Sequence, residues 1–147
     1  SRQSLIRELV MGEYIMKPTL TEGIQDCRKI TIDKGRTIDF MGEALRVYAT
    51  PELVRDIELT CRDLLLEHLD AGEDSVGTRV EIDHTGATLL GMTVTLSATI
   101  SSIEGRLVTF EVLAEDDIEP VAKCRHTRFV VETSKLEQRL QAKAAKI

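Results

Sequence analysis

TPELVRDIELTCRDLLLEHLD, residues 50–70, is the stretch whose reading decides the fold. Thr50 is a favoured N-cap type, and Pro51 suits the first helical position, where its missing N–H costs nothing and its fixed φ helps. Leu53, Val54, Ile57, Cys61, Leu64 and Leu65 recur at helical spacing, while Glu52, Arg55, Asp56, Arg62 and Asp63 fall on the opposite, solvated side. Leu59 and Leu66 interrupt that polar side and predict apolar contacts on more than one face. At ~100° per residue Glu58 lands on the flank of the apolar stripe, beside Val54, Cys61 and Leu65, so a half-buried, paired carboxylate is expected there. At ~1.5 Å per residue the helix spans nearly the diameter of a small domain.

Most of what surrounds it reads as strand. Residues 24–33 form a first strand ending at Lys34-Gly35, residues 36–40 a short extended segment, and residues 41–49 mostly loop. Strand-like runs follow at 76–84, 92–101, 107–115 and 121–132. In the first, Val76, Val80, Ile82 and His84 share one face, opposite Arg79, Glu81 and Asp83. In the second, Val94, Leu96, Ala98 and Ile100 alternate with Thr95, Ser97 and Thr99, and in the third the inward set is Val108, Phe110, Val112 and Ala114. A terminal helix over 134–145 opens on a capping-box-like Ser134-Lys135-Leu136-Glu137. One long helix with such strands predicts an α+β chain in which an antiparallel sheet wraps around a central helix, the hot-dog architecture. The domain runs over 24–147. Residues 1–23 are expected to form a helical arm over 4–16, with Leu5, Ile6, Leu9 and Val10 at helical spacing, and a connector over 17–23.

The 147-residue length is that of one domain with a sizeable core. A net charge of −6 and few aromatic residues argue against a nucleic-acid surface. No apolar run is long enough for a membrane span and no leader pattern is evident, so a cytoplasmic protein is expected. Cys27, Cys61 and Cys124 are odd in number and lack CxxC spacing, which fits reduced thiols. His68, His84 and His126 show no metal-ligand spacing, so neither metal nor cofactor is expected.

Three residues carry the chemistry that this fold can bring together: Thr50 at the helix start, Glu58 two turns later and His84 on a strand. A hydroxyl, a carboxylate and an imidazole are the parts of an acyl-transfer site. Each has a plainer reading: an N-cap, a salt-bridged carboxylate and a satisfied core histidine. Lys123, Arg125, His126 and Arg128 form a basic cluster in an otherwise acidic chain. Lys123, Arg125 and Arg128 are candidates for docking phosphates, against the plainer reading of a solvated edge-strand face.

From about Ile24 to the terminal helix, the sequence resembles the fluoroacetyl-CoA thioesterase family of hot-dog proteins. The resemblance rests on VYATPELV…E at 47–58, SVGTRVEIDHTGATLLGMTV at 75–94, SIEGR at 102–106 and CRHTR at 124–128. It implies a catalytic threonine, glutamate and histidine at Thr50, Glu58 and His84, and substrate contacts at Gly77 and Arg128. It also implies a homodimer, joined sheet edge to sheet edge, with the site near the interface. Ala44, in GEALRVY, stands where a phenylalanine gates the fluoroacetyl pocket, and Arg46 and Arg55 replace small apolar residues. A larger or more polar acyl group is therefore expected in place of fluoroacetyl.

The expected reaction is hydrolysis of an acyl-CoA to free acid and CoA. The helix N-terminus and the Gly77 backbone would stabilise an oxyanion, and His84 would serve as general base. Thr50 is either the nucleophile or the group that positions water, and Glu58 either orients the imidazole or activates water. The alternative is a non-catalytic acyl-CoA-binding sensor or subunit.

Overall fold

The computed structural model describes residues 16–147. The arm expected over 4–16 therefore lies, apart from Met16, outside the described residues. Among the described residues five strands, β1 (Gln25–Thr31), β2 (Glu73–His84), β3 (Thr93–Glu104), β4 (Leu107–Glu115) and β5 (Pro120–Glu132), form one antiparallel sheet in the order β1-β3-β4-β5-β2. Helix α1 (Thr50–Leu66) packs on one face of it, and α2 (Thr133–Ala144) follows β5. The hot-dog reading holds.

The core forms where two periodicities meet. Leu53, Ile57, Cys61, Leu64 and Leu65 of α1 are buried against Val94, Leu96, Ala98 and Ile100 of β3 and Val108, Phe110, Val112 and Ala114 of β4. These are the inward sets that alternation predicts. Removing such side chains from water, at ~25 cal/mol per Å² of apolar area, is the main force holding the helix to the sheet.

Several local expectations need correction. Ala49, not Thr50, is the N-cap of α1: its carbonyl accepts the first intrahelical bond, from the Leu53 N–H at 3.0 Å, which places Thr50 at the first helical position. The helix ends at Leu66, where His68 N–H turns back to the Leu65 carbonyl and buries Leu69 beyond the helix end. The segment expected to be extended over 36–40 begins inside a single 3-10 turn at Lys34–Arg36, capped by Asp33, and pairs only briefly, Thr37 with Tyr48. The loop over 41–49 holds a second 3-10 turn, Glu43–Leu45. At α2 the capping box does not form, because the helix begins one residue early and Ser134 falls inside its first turn. Lys135 pairs instead with Glu132 at 3.1 Å, and the Thr133 hydroxyl donates to the Gly72 carbonyl.

A bulge in β2 corrects the reading of its faces. The register against β5 slips between Gly77 and Arg79, leaving Thr78 unpaired and reversing the alternation. Ser75 and Gly77 lie opposite Val130 and Arg128 before it, and Val80, Ile82 and His84 opposite His126, Cys124 and Ala122 after it. Val76 therefore turns to the outer face and is 40% exposed. Val80 keeps the expected face, yet at the sheet edge it is 36% exposed.

Candidate active site

The N-terminus of α1 lies beside the end of β2. Thr50 Oγ1 and His84 Nδ1 are 2.8 Å apart, a side-chain hydrogen bond between residues 34 apart in sequence. Because Ala49 takes the capping position, the Thr50 hydroxyl is not committed to the helix and can face the imidazole. Pro51 removes one first-turn N–H, and those of Thr50 and Glu52 have no acceptor within the helix. His84 is half-buried, and burial pushes its imidazole below the ordinary histidine range, partly offset by the Gly86 backbone. Its Nε2 is buried without a hydrogen-bond partner among the described residues. A neutral ring whose Nδ1 accepts from a hydroxyl can act as a general base.

Behind this pair stands a buried polar network that helical periodicity does not reveal. Asp56, expected in the solvated arc of the helix, is only 5% exposed. Its Oδ2 accepts from the Tyr48 hydroxyl at 2.5 Å and from Arg36 Nε at 2.9 Å, and its Oδ1 accepts from Arg36 Nη2 at 3.1 Å. Arg36 Nη1 also donates to Asp33 at 2.7 Å. The Tyr48 ring meets the His84 imidazole edge-on, with centroids 6.4 Å apart. The available sequence signal was Tyr48 two residues before Thr50, with an acidic residue eight positions beyond that tyrosine.

Glu58 lies elsewhere. Eight residues along α1 from Thr50, it is about 12 Å further down the helix axis, and it makes no hydrogen bond to His84. Within one chain, then, Thr50 and His84 meet and Glu58 stands apart. It is half-buried as expected, but its neighbours are Gly77, His126 and Arg128. A Cβ on Gly77 would stand 3.0 Å from Glu58 Oε1, 3.1 Å from His126 Cε1 and 3.6 Å from Arg128 Nη1. The expected pairing is a through-space attraction to Arg128, not a direct ion pair.

Arg128 is 4% exposed and fixed on three sides. Nε donates to the Ser75 hydroxyl at 2.7 Å, Nη2 to the Ser75 carbonyl at 2.8 Å and Nη1 to His126 Nε2 at 3.1 Å. Because a guanidinium can only donate, His126 Nε2 must accept, and its Nδ1 carries the proton given to the Arg79 carbonyl at 2.8 Å. His126 is thus held in one neutral tautomer, and burial lowers its pKa. Burial likewise lowers that of Arg128, and the Glu58 carboxylate opposes this.

The proposed basic docking cluster does not exist as one surface. Strand alternation turns His126 and Arg128 inward and Lys123 and Arg125 outward, and Arg125 is paired with Glu111 at 2.7 Å. Lys123 and Arg125 line an open outer groove of about 580 Å³ shared with Glu81, Asp83 and Glu111, so its charge is mixed. Arg46 grips Glu43 through two contacts and also donates to Thr37 at 3.1 Å, which fixes the loop containing Ala44. Phe40, Met41 and Leu45 of that loop, and Leu89 and Leu90 of the loop joined to it by the Val47–Leu89 bridge, leave large apolar side chains exposed. Among the described residues no group of His, Cys, Asp and Glu is arranged to hold a metal ion, and no helix is long and apolar enough to cross a membrane.

The family model of fluoroacetyl-CoA-specific thioesterases matches residues 32–134. A fluoroacetyl-CoA thioesterase of Streptantibioticus cattleyicolor is 34% identical over 97 residues, which are 66% of this chain and 70% of that protein. Among solved structures, a mutant of the fluoroacetyl-CoA-specific thioesterase in complex with fluoroacetate and CoA superposes with a TM-score of 0.74 at 29% identity, covering 80% of this chain and 99% of the other. A Thermus thermophilus thioesterase superfamily member superposes with a TM-score of 0.76 at 26% identity, covering 86% and 97%.

Proposed function

Because the chain belongs to the fluoroacetyl-CoA-specific thioesterase family, we propose that it hydrolyses an acyl-CoA to free acid and CoA at a site built on Thr50 and His84, with Glu58, Gly77 and Arg128 serving the same reaction. It is a thioesterase of the hot-dog superfamily. The observation that carries the finer reading is the 2.8 Å contact between the Thr50 hydroxyl and His84 Nδ1 at a helix N-terminus.

In this reading the thioester carbonyl lies near the first turn of α1, where the N–H groups of Thr50 and Glu52 and the helix dipole stabilise the oxyanion. His84 takes a proton either from Thr50 as it attacks or from a water that Thr50 orients. The C–S bond breaks and the CoA thiolate leaves with little need of a general acid, since thiol pKa values lie near ~8.5. An acyl-Thr50 ester, when formed, is then cleaved by water.

Glu58, Gly77 and Arg128 are two helical turns away, which is the observation favouring a homodimer. Edge strand β2 exposes Val76 and Val80 and, among the described residues of one chain, pairs only with β5. Antiparallel pairing of two β2 edges would set the 77–84 stretch of one copy against that of the other, and so Gly77 and Glu58 near the second copy's Thr50 and His84. Ala44 and the exposed Phe40, Met41, Leu45, Leu89 and Leu90 support an acyl group bulkier than fluoroacetyl. The three free cysteines fit a reducing, cytoplasmic setting.

The test is CoA release from short, branched, aromatic and dicarboxylic acyl-CoAs, by wild type and by Thr50→Ala, Glu58→Ala and His84→Ala, with the protein's own thiols subtracted. Turnover of one class that disappears in folded His84→Ala supports the reading. Binding without turnover supports a non-catalytic acyl-CoA-binding protein instead. Intact-mass measurement during turnover separates a Thr50 ester from direct attack by water.

A further inference from the structure

We infer that Tyr48, braced by Asp56 and Arg36, is a positioning residue that sets both partners of the Thr50–His84 hydrogen bond; the inference rests on the proposed role of that pair. Tyr48 is buried and sits two residues before Thr50. Its backbone N–H donates to the Thr88 carbonyl at 2.8 Å, and the next N–H, of Ala49, donates to the Arg36 carbonyl at 2.8 Å. Those two bonds fix the chain leading into Thr50. On the other side, the Tyr48 and His84 rings make a T-shaped contact with centroids 6.4 Å apart, and the Tyr48 hydroxyl fixes the direction of its ring axis by bonding Asp56 at 2.5 Å.

Packing alone does not call for this arrangement. A phenylalanine would fill the same volume, and a leucine at Asp56 would seal the helix against the 33–48 segment. A buried carboxylate is instead retained, at a desolvation cost met by three donors from Arg36 and Tyr48. What the carboxylate supplies is direction. Arg36, anchored to Asp33, orients Asp56; Asp56 orients the Tyr48 hydroxyl; and the ring limits where His84 can swing.

The decisive variants are Tyr48→Phe and Asp56→Asn, which preserve shape and remove the directional bond, with Arg28→Gln as a control that breaks the Arg28–Asp63 pair of the same helix. Two readouts are taken on each: kcat and KM for the best acyl-CoA, and the titration midpoint of the His84 ring by NMR. The expected result for Tyr48→Phe is a kcat lowered at least tenfold, towards the ~100-fold cost of a 1 Å misplacement, with KM within about twofold. The His84 midpoint is expected to rise towards ~6.5 as the loosened ring gains water. Asp56→Asn should move both readouts the same way, and Arg28→Gln neither. Lower thermal stability with unchanged kcat and unchanged His84 midpoint would overturn the inference and leave the network purely structural. Should wild type cleave no acyl-CoA, the thioesterase reading fails, and the His84 midpoint alone then upholds or overturns the positioning.

Discussion

Gly77 packs so closely on Glu58 that a Cβ there would stand 3.0 Å from the carboxylate oxygen, with the His126 ring 3.1 Å away on another side. His126 cannot yield, since both ring nitrogens are bonded and the residue is fully buried. Any added methyl must therefore displace Glu58.

Gly77→Ala is accordingly expected to lower turnover about tenfold, because the flexible glutamate is displaced, and to lose about 1 kcal/mol of stability, because the methyl also presses on the His126 ring. Steady-state kinetics beside thermal denaturation check this. Gly86→Ala provides the contrast. There a Cβ would meet the Pro120 carbonyl at 2.5 Å, backbone that cannot swing away, so a loss of about 1–3 kcal/mol of stability is expected.

Thr50→Ala separates a capping role from a chemical one. An N-cap threonine loses about 1 kcal/mol on truncation, whereas Thr50 sits inside the helix with its hydroxyl on His84. Stability should change by less than about 0.5 kcal/mol, with turnover lost and Thr50→Ser retaining part of it. A full capping penalty in urea denaturation would contradict this geometry.

Burial lowers the His84 pKa, so the neutral base survives to more acidic pH than a free histidine. The acid limb of kcat/KM is expected below ~6.5. Stability follows the same sign. His84 and His126 both have folded pKa values below the unfolded one, so their contribution is complete above ~6.5 and is lost as pH falls from there through the lower folded values. Denaturation midpoints measured between pH 8 and pH 5 should decline across that window, and a midpoint rising with acidity would contradict the burial of both rings.

Removing the Asp56 carboxylate altogether leaves the buried Tyr48 hydroxyl without its acceptor and Arg36 with Asp33 alone. Asp56→Ala should cost about 1–3 kcal/mol, against less than about 1 kcal/mol for Asp63→Ala, whose pair with Arg28 is partly exposed. Chemical denaturation of the two variants side by side decides whether helix position or burial sets the cost.

Thiol accessibility gives a check independent of catalysis. Burial pushes Cys61 up to about 12 and Cys124 up to about 11, while Cys27 is exposed on β1. A thiol reagent should modify Cys27 in the native protein, with Cys61 and Cys124 reacting after unfolding. Rapid native labelling of Cys124 would mean that the β4–β5 face opens.

The repeat of Leu53, Ile57, Cys61, Leu64 and Leu65, and the alternation in β3 and β4, were sufficient to specify a helix laid on an antiparallel sheet. Hydrophobic period reports which face of an element must leave water, and that is a property of neighbours along the chain. The same sequence nominated Thr50, Glu58 and His84 by residue type. What it could not show is which polar groups meet. Thr50 finds a residue 34 positions away, Asp56 is buried by an arginine 20 positions away, and one bulged residue in β2 turns Val76 outward. A buried polar side chain is stable only where a partner reaches it, and such partners come from segments that only the folded chain brings together. Tertiary structure therefore decided that Thr50 faces His84 while Glu58 lies two turns away beside Gly77 and Arg128, because the direction of a hydrogen bond, unlike the period of a hydrophobic stripe, is not written locally.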